Sequence, residues 1–440
     1  MKVAFVFPPN WTPHSDGSLQ IWNHQVTTRL AKVCDVLVYS GLLSFKSHDV
    51  FDGVRYRRFS PRWDNRFLKR FQLLHDAFHI PGPLFSSDLW YLGYAFRVGL
   101  HLRRHHRDIV HVYNYPQFAA VIKWLNPTSR VVLNMHGEIL TQLKFRNLAR
   151  RLSTLDLIVS CSDLISDGIR CSFPDISNRC KTLPMGITLE SFPVRKDNIE
   201  LVKPASKRIL HIGRLSPEKG VHVLVDAFNL IVRQFPDATL TIVGPEWVAP
   251  RADYADLCLP KEVTDGFAPF YKGSYLEQIK KRVCPEAAGK IHFPGLVSHS
   301  EVHAWYENAD VYVAPGYYES FGMSIIEAMA AGLPVVACGG GAVPEVVSHG
   351  RTGLVVDVGS PSAIAEAVAR LFQNPTLCDS ISDTAQVEVR QKYAWDTIVS
   401  TLFGWYDETL RVSCNKQLVN APPRADTASV APSPSQPPRN

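Results

Sequence analysis

The sequence predicts an α/β protein built from two doubly wound, Rossmann-like domains that face each other across a cleft. Three observations carry that expectation. Short apolar runs alternate with helical patterns from end to end, the signature of parallel sheets covered on both faces by helices. A chain of 440 residues exceeds what one ordinary core serves and suits two domains of about 200 residues each. Near the middle, residues 192–206 form a polar stretch with two prolines and no clear period, which reads as a linker.

The first domain is therefore expected over 1–191 and the second over 207–392. Candidate strands in the first are Lys2–Phe7, Cys34–Ser40, Gly53–Phe59, Asp108–Tyr113, Arg130–His136, Leu155–Cys161 and Lys181–Met185. In the second they are Arg208–Gly213, Ala238–Gly244, Lys290–Pro294, Asp310–Pro315, Pro334–Cys338 and Gly353–Val356. After Lys219-Gly220, the residues Val221, Leu224, Val225, Phe228 and Ile231 share one helical face that would pack on a sheet. A helical segment over 393–412 carries Trp395, Phe403, Trp405 and Tyr406. From 413 to 440 the chain is rich in Pro, Ala and Ser and lacks aromatics, so a disordered tail is expected.

With 46% hydrophobic and 20% charged residues, the composition is that of a soluble globular enzyme. Nine cysteines stand singly, with no Cys-x-x-Cys, which argues against a disulfide framework and for a reducing, cytoplasmic compartment. The apolar run after Met1-Lys2 is too short for a signal peptide, and no stretch approaches the ~18 apolar residues of a spanning helix. Any membrane contact would be peripheral, at the inner face. Nucleic acid is not an expected partner.

The net charge of +6 is unevenly placed: Arg55, Arg57, Arg58, Arg62, Arg66, Lys69, Arg70, Arg97, Arg103, Arg104 and Arg107 meet only Asp64, Asp76 and Asp88 in that segment. It points to an acidic surface or anionic acceptor, or to a solvated basic face without a partner. Within it Phe67, Phe71, Leu74 and Phe78 fall at i, i+4, i+7 and i+11, beside Arg66, Lys69 and Arg70. Such a stripe suits a helix lying on an anionic membrane and equally suits the buried face of a domain helix.

The most informative stretch is 317–345. Glu319 and Glu327 stand eight positions apart across a turn and the start of a short helix, expected to open at Ser324 as its cap and to close at Gly332 before Pro334. The strand Pro334–Cys338 then runs into Gly339, Gly340 and Gly341. Amides at a helix start bind phosphate, glycines admit a ligand to the backbone, and carboxylates accept from hydroxyls. Together these describe a sugar nucleotide pocket. A dehydrogenase is disfavoured, because the three glycines lack the Gly-x-Gly-x-x-Gly spacing.

This stretch resembles the donor-binding signature of the retaining glycosyltransferases of family 4 (glycosyl transferases group 1), which have the GT-B architecture: a Glu, seven residues, a second Glu, then Ala-Met-Ala-x-Gly-x-Pro-Val. Residues 208–220, ending in Gly213-Arg214 and Lys219-Gly220, resemble the family's second hallmark. Weaker likeness extends from Val3 to about Tyr406. The resemblance implies that the last helix crosses back to brace the first domain.

It further implies that Arg214 and Lys219 stabilise the leaving diphosphate, a task for which a bidentate guanidinium and a compact ammonium are suited. Together with the amides of Phe321, Gly322 and Met323, beside Ser320, they would stand in for a metal ion; the chain has no Asp-x-Asp to hold one. No cofactor is expected beyond the nucleotide sugar as co-substrate. Glu319 is implied to contact donor hydroxyls and to steady the oxocarbenium-like charge. Glu327 is implied to take the ribose hydroxyls, although Ser324-Ile-Ile-Glu327 also fits a capping box. His136, in Met-His-Gly-Glu, would touch the donor sugar or the reacting centre. Where the family has two adjacent glycines near the diphosphate, only Gly17 is present. Gly339–Gly341 would pass close to the donor and lead into Glu345, a structural residue.

The expected activity is retaining, metal-independent glycosyl transfer from a nucleotide diphosphate sugar, UDP before GDP, in a setting such as polysaccharide biosynthesis. The acceptor is a glycan, a lipid or a small molecule. Alternatives are a sugar nucleotide epimerase or phosphorylase on the same architecture, and a catalytically silent nucleotide-sugar-binding scaffold. The long connection 245–289, with Trp247, Tyr254, Phe267, Phe270, Tyr271 and Tyr275, is expected to be ordered and to border the cleft at its start.

Overall fold

The computed structural model describes residues 1–9, 17–41, 50–78, 83–143, 147–192, 207–248 and 259–419. The expected linker therefore lies outside the described residues except for Phe192, as do Asp16, Tyr254 and the tail from 420 onward.

The first sheet contains β1 (Lys2–Val6), β2 (Asp35–Ser40), β3 (Val50–Phe51), β4 (Val54–Arg58), β5 (Ile109–Tyr113), β6 (Arg130–Met135), β7 (Leu157–Ser160) and β8 (Cys180–Thr182), in the order β3-β4-β2-β1-β5-β6-β7-β8. All pairings are parallel except β3 with β4. That hairpin turns on Asp52 and Gly53, both at positive φ, the geometry an Asp-Gly turn supplies. The second sheet is wholly parallel: β9 (Arg208–Ile212), β10 (Thr239–Val243), β11 (Ile291–Gly295), β12 (Val311–Ala314), β13 (Val335–Cys338) and β14 (Leu354–Val356), ordered β11-β10-β9-β12-β13-β14.

Helices cover both faces of each sheet, which is why the central strands are continuous apolar runs rather than alternating ones. Val3 to Val6 and Val311 to Ala314 are buried throughout. Each sheet reverses its winding beside its first strand, between β1 and β5 and between β9 and β12. Crevices at the carboxyl ends of strands open at such switch points. In the second sheet Arg214 and Lys219 follow β9 and Glu319 follows β12, at the switch point itself; in the first, His136 follows β6, the strand next to β5.

The last helix, Trp395–Val419, returns to the first domain. Tyr406 Oη lies 2.6 Å from His111 Nδ1, Lys181 pairs with Glu408 at 2.5 Å, and Arg29 with Asp396 at 2.8 Å. Trp395 fills the space beside Gly186, where an added Cβ would meet its ring at 2.3 Å. The helix overruns the expected 412 boundary, since after Gly404 the sequence offers no glycine or proline until Pro422.

The helix Arg62–Ala77 settles how the stripe beside the basic residues is used. Its domain-facing residues are Asp64 and Leu68, whereas Phe67, Leu74 and Phe78 are 50%, 54% and 74% exposed. The stripe is therefore not a core face. The basic segment is also partly neutralised: Arg55 and Arg107 pair with Asp35, and Arg97 with Asp64. Among the described residues no helix is long and apolar enough to cross a membrane.

Candidate active site

Two loops of the second domain are locked together. Tyr317 N donates to Glu218 O at 2.9 Å. Gly220, at φ +66°, brings the start of the helix Val221–Gln234 so close that a side chain would lie 2.1 Å from the Pro315 carbonyl oxygen. That contact fixes Lys219, whose Nζ sits 2.6 Å from Glu319 Oε1 in a partly buried ion pair. Arg214 lies on the same loop, its Nη2 3.4 Å from Glu218 Oε1 and its guanidinium stacked 4.6 Å above the Trp247 ring. Ser216 Oγ donates to the same carboxylate at 2.6 Å, so Glu218, though buried, is well bonded.

The chain then turns at Gly322, φ +100°, and the helix Met323–Ala330 begins one residue before the expected start. Ser324 is not its cap. The Gly322 carbonyl accepts from the amides of Ile325 and Ile326, and Ser324 falls inside the first turn. The capping-box alternative for Glu327 goes with it: Glu327 Oε2 accepts from Tyr306 Oη at 2.9 Å, and Oε1 lies 3.0 Å from His299 Nε2. The helix ends before Gly332, as expected. Gly340 and Gly341 close onto this loop, for an added Cβ would meet Tyr317 O at 2.0 Å and Glu319 O at 2.3 Å. Their contacts are with the backbone carrying Glu319, and Ala342 N donates to Glu319 O at 2.8 Å.

The opposite wall is the first domain. Asn114, at φ +53°, aims its Oδ1 at the His136 amide, 3.0 Å away. His136 packs against Tyr113 and Trp22. The residue is partly exposed, yet both ring nitrogens are buried, and neither has a partner among the described residues. Burial lowers its pKa to about 3, so at neutral pH it offers a neutral imidazole. His136, Gly137, Glu138, Asn114, Ser18, Phe85, Glu319, Ser320, Phe321, Gly322 and Met323 line one cavity of about 330 Å³.

Of the expected site residues, the structure brings His136, Glu319 and residues 320–323 together around one cavity. Lys219 joins them through its pair with Glu319, while Arg214, Glu327 and Gly17 border the region without lining the cavity. Sequence reasoning passed over Glu138, whose Oε2 accepts from Tyr318 Oη at 2.7 Å and so joins the two domains. The signal was its place directly after His136-Gly137. It left Glu345 without a defined contact; its carboxylate accepts from the amides of Asp163 and Leu164 at 2.7 Å each, docking the second domain on the helix Asp163–Ser172. The connection after β10 contains the helices Lys261–Gly266 and Tyr275–Lys280, with Phe267 and Phe270 packed on His222.

Four histidines whose ring nitrogens are shielded from water give the fold a pH signature. Burial lowers His111, His136 and His222 to about 3 and His211 to about 4, from an ordinary value of 6.5. Between those limits the unfolded chain binds more protons than the folded one, so stability falls as pH falls. The urea midpoint is expected to drop between pH 7 and pH 5, above the range where paired carboxylates titrate. A midpoint constant over that interval would mean that these imidazoles titrate in the folded protein as they do in the unfolded chain.

A two-domain cleft of this topology, with cations and a helix start facing a carboxylate, defines a glycosyltransferase of GT-B architecture. The chain belongs to the glycosyl transferases group 1, glycosyltransferase family 4: the group 1 model matches residues 195–388 and the family 4 model residues 50–191. It is 28% identical over 338 residues to YtcC of Bacillus subtilis, which carries a glycosyltransferase name, covering 74% of this chain and 78% of that protein. A GDP-mannose-dependent alpha-(1-6)-phosphatidylinositol monomannoside mannosyltransferase of Mycobacterium tuberculosis is 27% identical over 292 residues, 62% of this chain and 68% of that one. Among solved structures, HepE of Anabaena in complex with UDP-glucose superposes with a TM-score of 0.62 at 19% identity, covering 94% of this chain and all of that one.

Proposed function

We propose that the protein transfers a glycosyl group from a nucleotide diphosphate sugar, UDP before GDP, to a glycan, lipid-linked or small-molecule hydroxyl, with retention of configuration and without a metal ion. The observation that carries this reading is the convergence of Lys219, Glu319 and the start of the helix Met323–Ala330 on a cavity whose far wall holds His136. The bond from the anomeric carbon to the diphosphate oxygen breaks and its electron pair leaves with the diphosphate, while the acceptor oxygen bonds the anomeric carbon from the same face and its proton passes to the departing phosphate oxygen. Lys219, Arg214 and the amides of Phe321, Gly322 and Met323 receive that negative charge. Glu319 faces the positive charge left on the sugar ring. His136, on the far wall, contacts the donor sugar or the reacting centre, and Glu327 takes the ribose hydroxyls.

HepE, of the same fold, holds UDP-glucose, whereas the mycobacterial relative is GDP-mannose-dependent, so the base is a matter for direct test. The exposed stripe of Arg62–Ala77 suits peripheral contact with an anionic membrane from the cytoplasmic side. The experiment is incubation with UDP- and GDP-sugars, first alone and then with acceptor extracts, with and without EDTA. UDP release that needs acceptor, survives EDTA and yields a glycoside of the donor's anomeric configuration by NMR is expected. An inverted product would overturn retention; an epimerised donor, a sugar phosphate or no reaction would favour the alternative enzymes or the silent scaffold.

A further inference from the structure

We propose that the first domain also holds a binding site for the hydrocarbon chain of an amphiphilic acceptor, in a cleft outside the reaction cavity; this rests on the reading of that cavity as the site of transfer. The cleft measures about 990 Å³ and is lined by Trp63, Phe67, Leu89, Leu92, Phe96 and Trp124. These come from the helices Arg62–Ala77, Leu92–Arg104 and Pro116–Leu125 and the segment before the second of them. Large apolar side chains scattered singly over a surface need no explanation, but here they converge on one concavity. Trp63 and Trp124 are 75% and 73% exposed.

The charged residues in the wall bond each other. Arg97 Nη2 lies 2.8 Å from Asp64 Oδ2, and Asp64 Oδ1 also accepts from the Tyr94 amide at 3.1 Å. A ligand entering the cleft thus meets mostly hydrocarbon, with the Asp64 and Arg97 charges already paired. The flank of the first helix differs: Arg66 lies 5.6 Å from the Trp63 ring, and Arg62, Lys69 and Arg70 are exposed on the same helix. An apolar slot beside a cationic helix flank matches a long chain bearing an anionic head.

Nearness to the reaction cavity selects an acceptor chain over other hydrocarbon. Phe85 lines the cavity and Leu89 lines the cleft, so their Cα atoms are at most about 14 Å apart. Gln117 Nε2 donates to Phe85 O at 3.0 Å, tying this segment to the helix that presents Trp124. One molecule can therefore place its head near His136 and Glu319 and its chain beside Leu89.

The test is calorimetric titration of the full chain, without donor, with n-alkyl phosphates from butyl to dodecyl, each below its micelle concentration. Affinity is expected to rise roughly three- to fourfold per methylene until the cleft is filled. Phe67→Glu and Phe96→Glu alter exposed positions and should fold, yet weaken dodecyl phosphate by about tenfold or more, because their carboxylates must be desolvated as the chain enters. Phe67→Leu should retain binding. Affinity independent of chain length, or unchanged in both Glu variants, would overturn the proposal. So would flotation with phosphatidylglycerol vesicles by a protein that ignores monomeric dodecyl phosphate, which would assign the face to membrane docking instead. No donor enters the measurement, so a failure of the transfer reaction and a failure of chain binding are told apart.

Discussion

Lys219→Ala is expected to fold normally and to lose transfer activity by roughly a hundredfold or more. The residue stands at the end of the loop after β9, held by the Gly220 contact with Pro315, and its ammonium is held beside the cavity by its ion pair with Glu319 at 2.6 Å. A point charge fixed in advance at the leaving diphosphate needs no reorganisation during the reaction. Deleting one such contact typically costs ~2.7–4 kcal/mol of transition-state stabilisation. The substitution also removes the anchor that orients Glu319, so the loss should fall mainly on turnover. Arg214→Ala is expected in the same range, since its guanidinium is stacked on Trp247 and held near Glu218 rather than buried in the core. The measurement is kcat at saturating donor, with thermal melts to verify folding. Turnover near that of the wild type in both variants would remove the two cations from the mechanism.

Most of the fold could be read from the sequence because both sheets are buried on two faces. Runs such as 109–113 and 311–314 are apolar without alternation, bounded by turn residues, and each expected strand has its counterpart in a sheet. The strand that escaped, β3, is two exposed residues, Val50 and Phe51, and only the Asp52-Gly53 turn betrays it. At the site, what could be read was the chemistry fixed by local spacing: Arg214 and Lys219 on one loop, Glu319 ahead of a helix. What could not be read was the set of partners supplied from distant chain. Tyr306 and His299 claim Glu327, Glu138 meets Tyr318, and Glu345 meets the amides of Asp163 and Leu164. Ser324 shows the same limit in miniature. A serine three residues before a glutamate is a good cap by pattern, but Gly322 can take a positive φ, and that freedom moves the start of the helix.

Glu319→Gln is expected to lower turnover on the order of a hundredfold while leaving donor affinity intact or raising it. The backbone at 319 is pinned by the Gly341 approach and by the Ala342 amide at 2.8 Å, so an amide of the same shape stays where the carboxylate was. What changes is charge. In the resting protein the carboxylate occupies Lys219, and neutralising it frees the ammonium to meet the donor diphosphate at full strength. Ground-state binding therefore has no reason to weaken. The transition state loses the negative charge that faces the electron-poor sugar ring, and an interaction made chiefly there appears in kcat rather than in donor affinity. Calorimetry for donor binding and initial rates at saturating donor separate the two. If affinity and turnover fall together by the same factor, Glu319 is a binding group for the donor sugar. If neither moves, the carboxylate serves only to hold Lys219, and the charge stabilisation must come from elsewhere in the cavity, where Glu138 is the carboxylate placed to supply it.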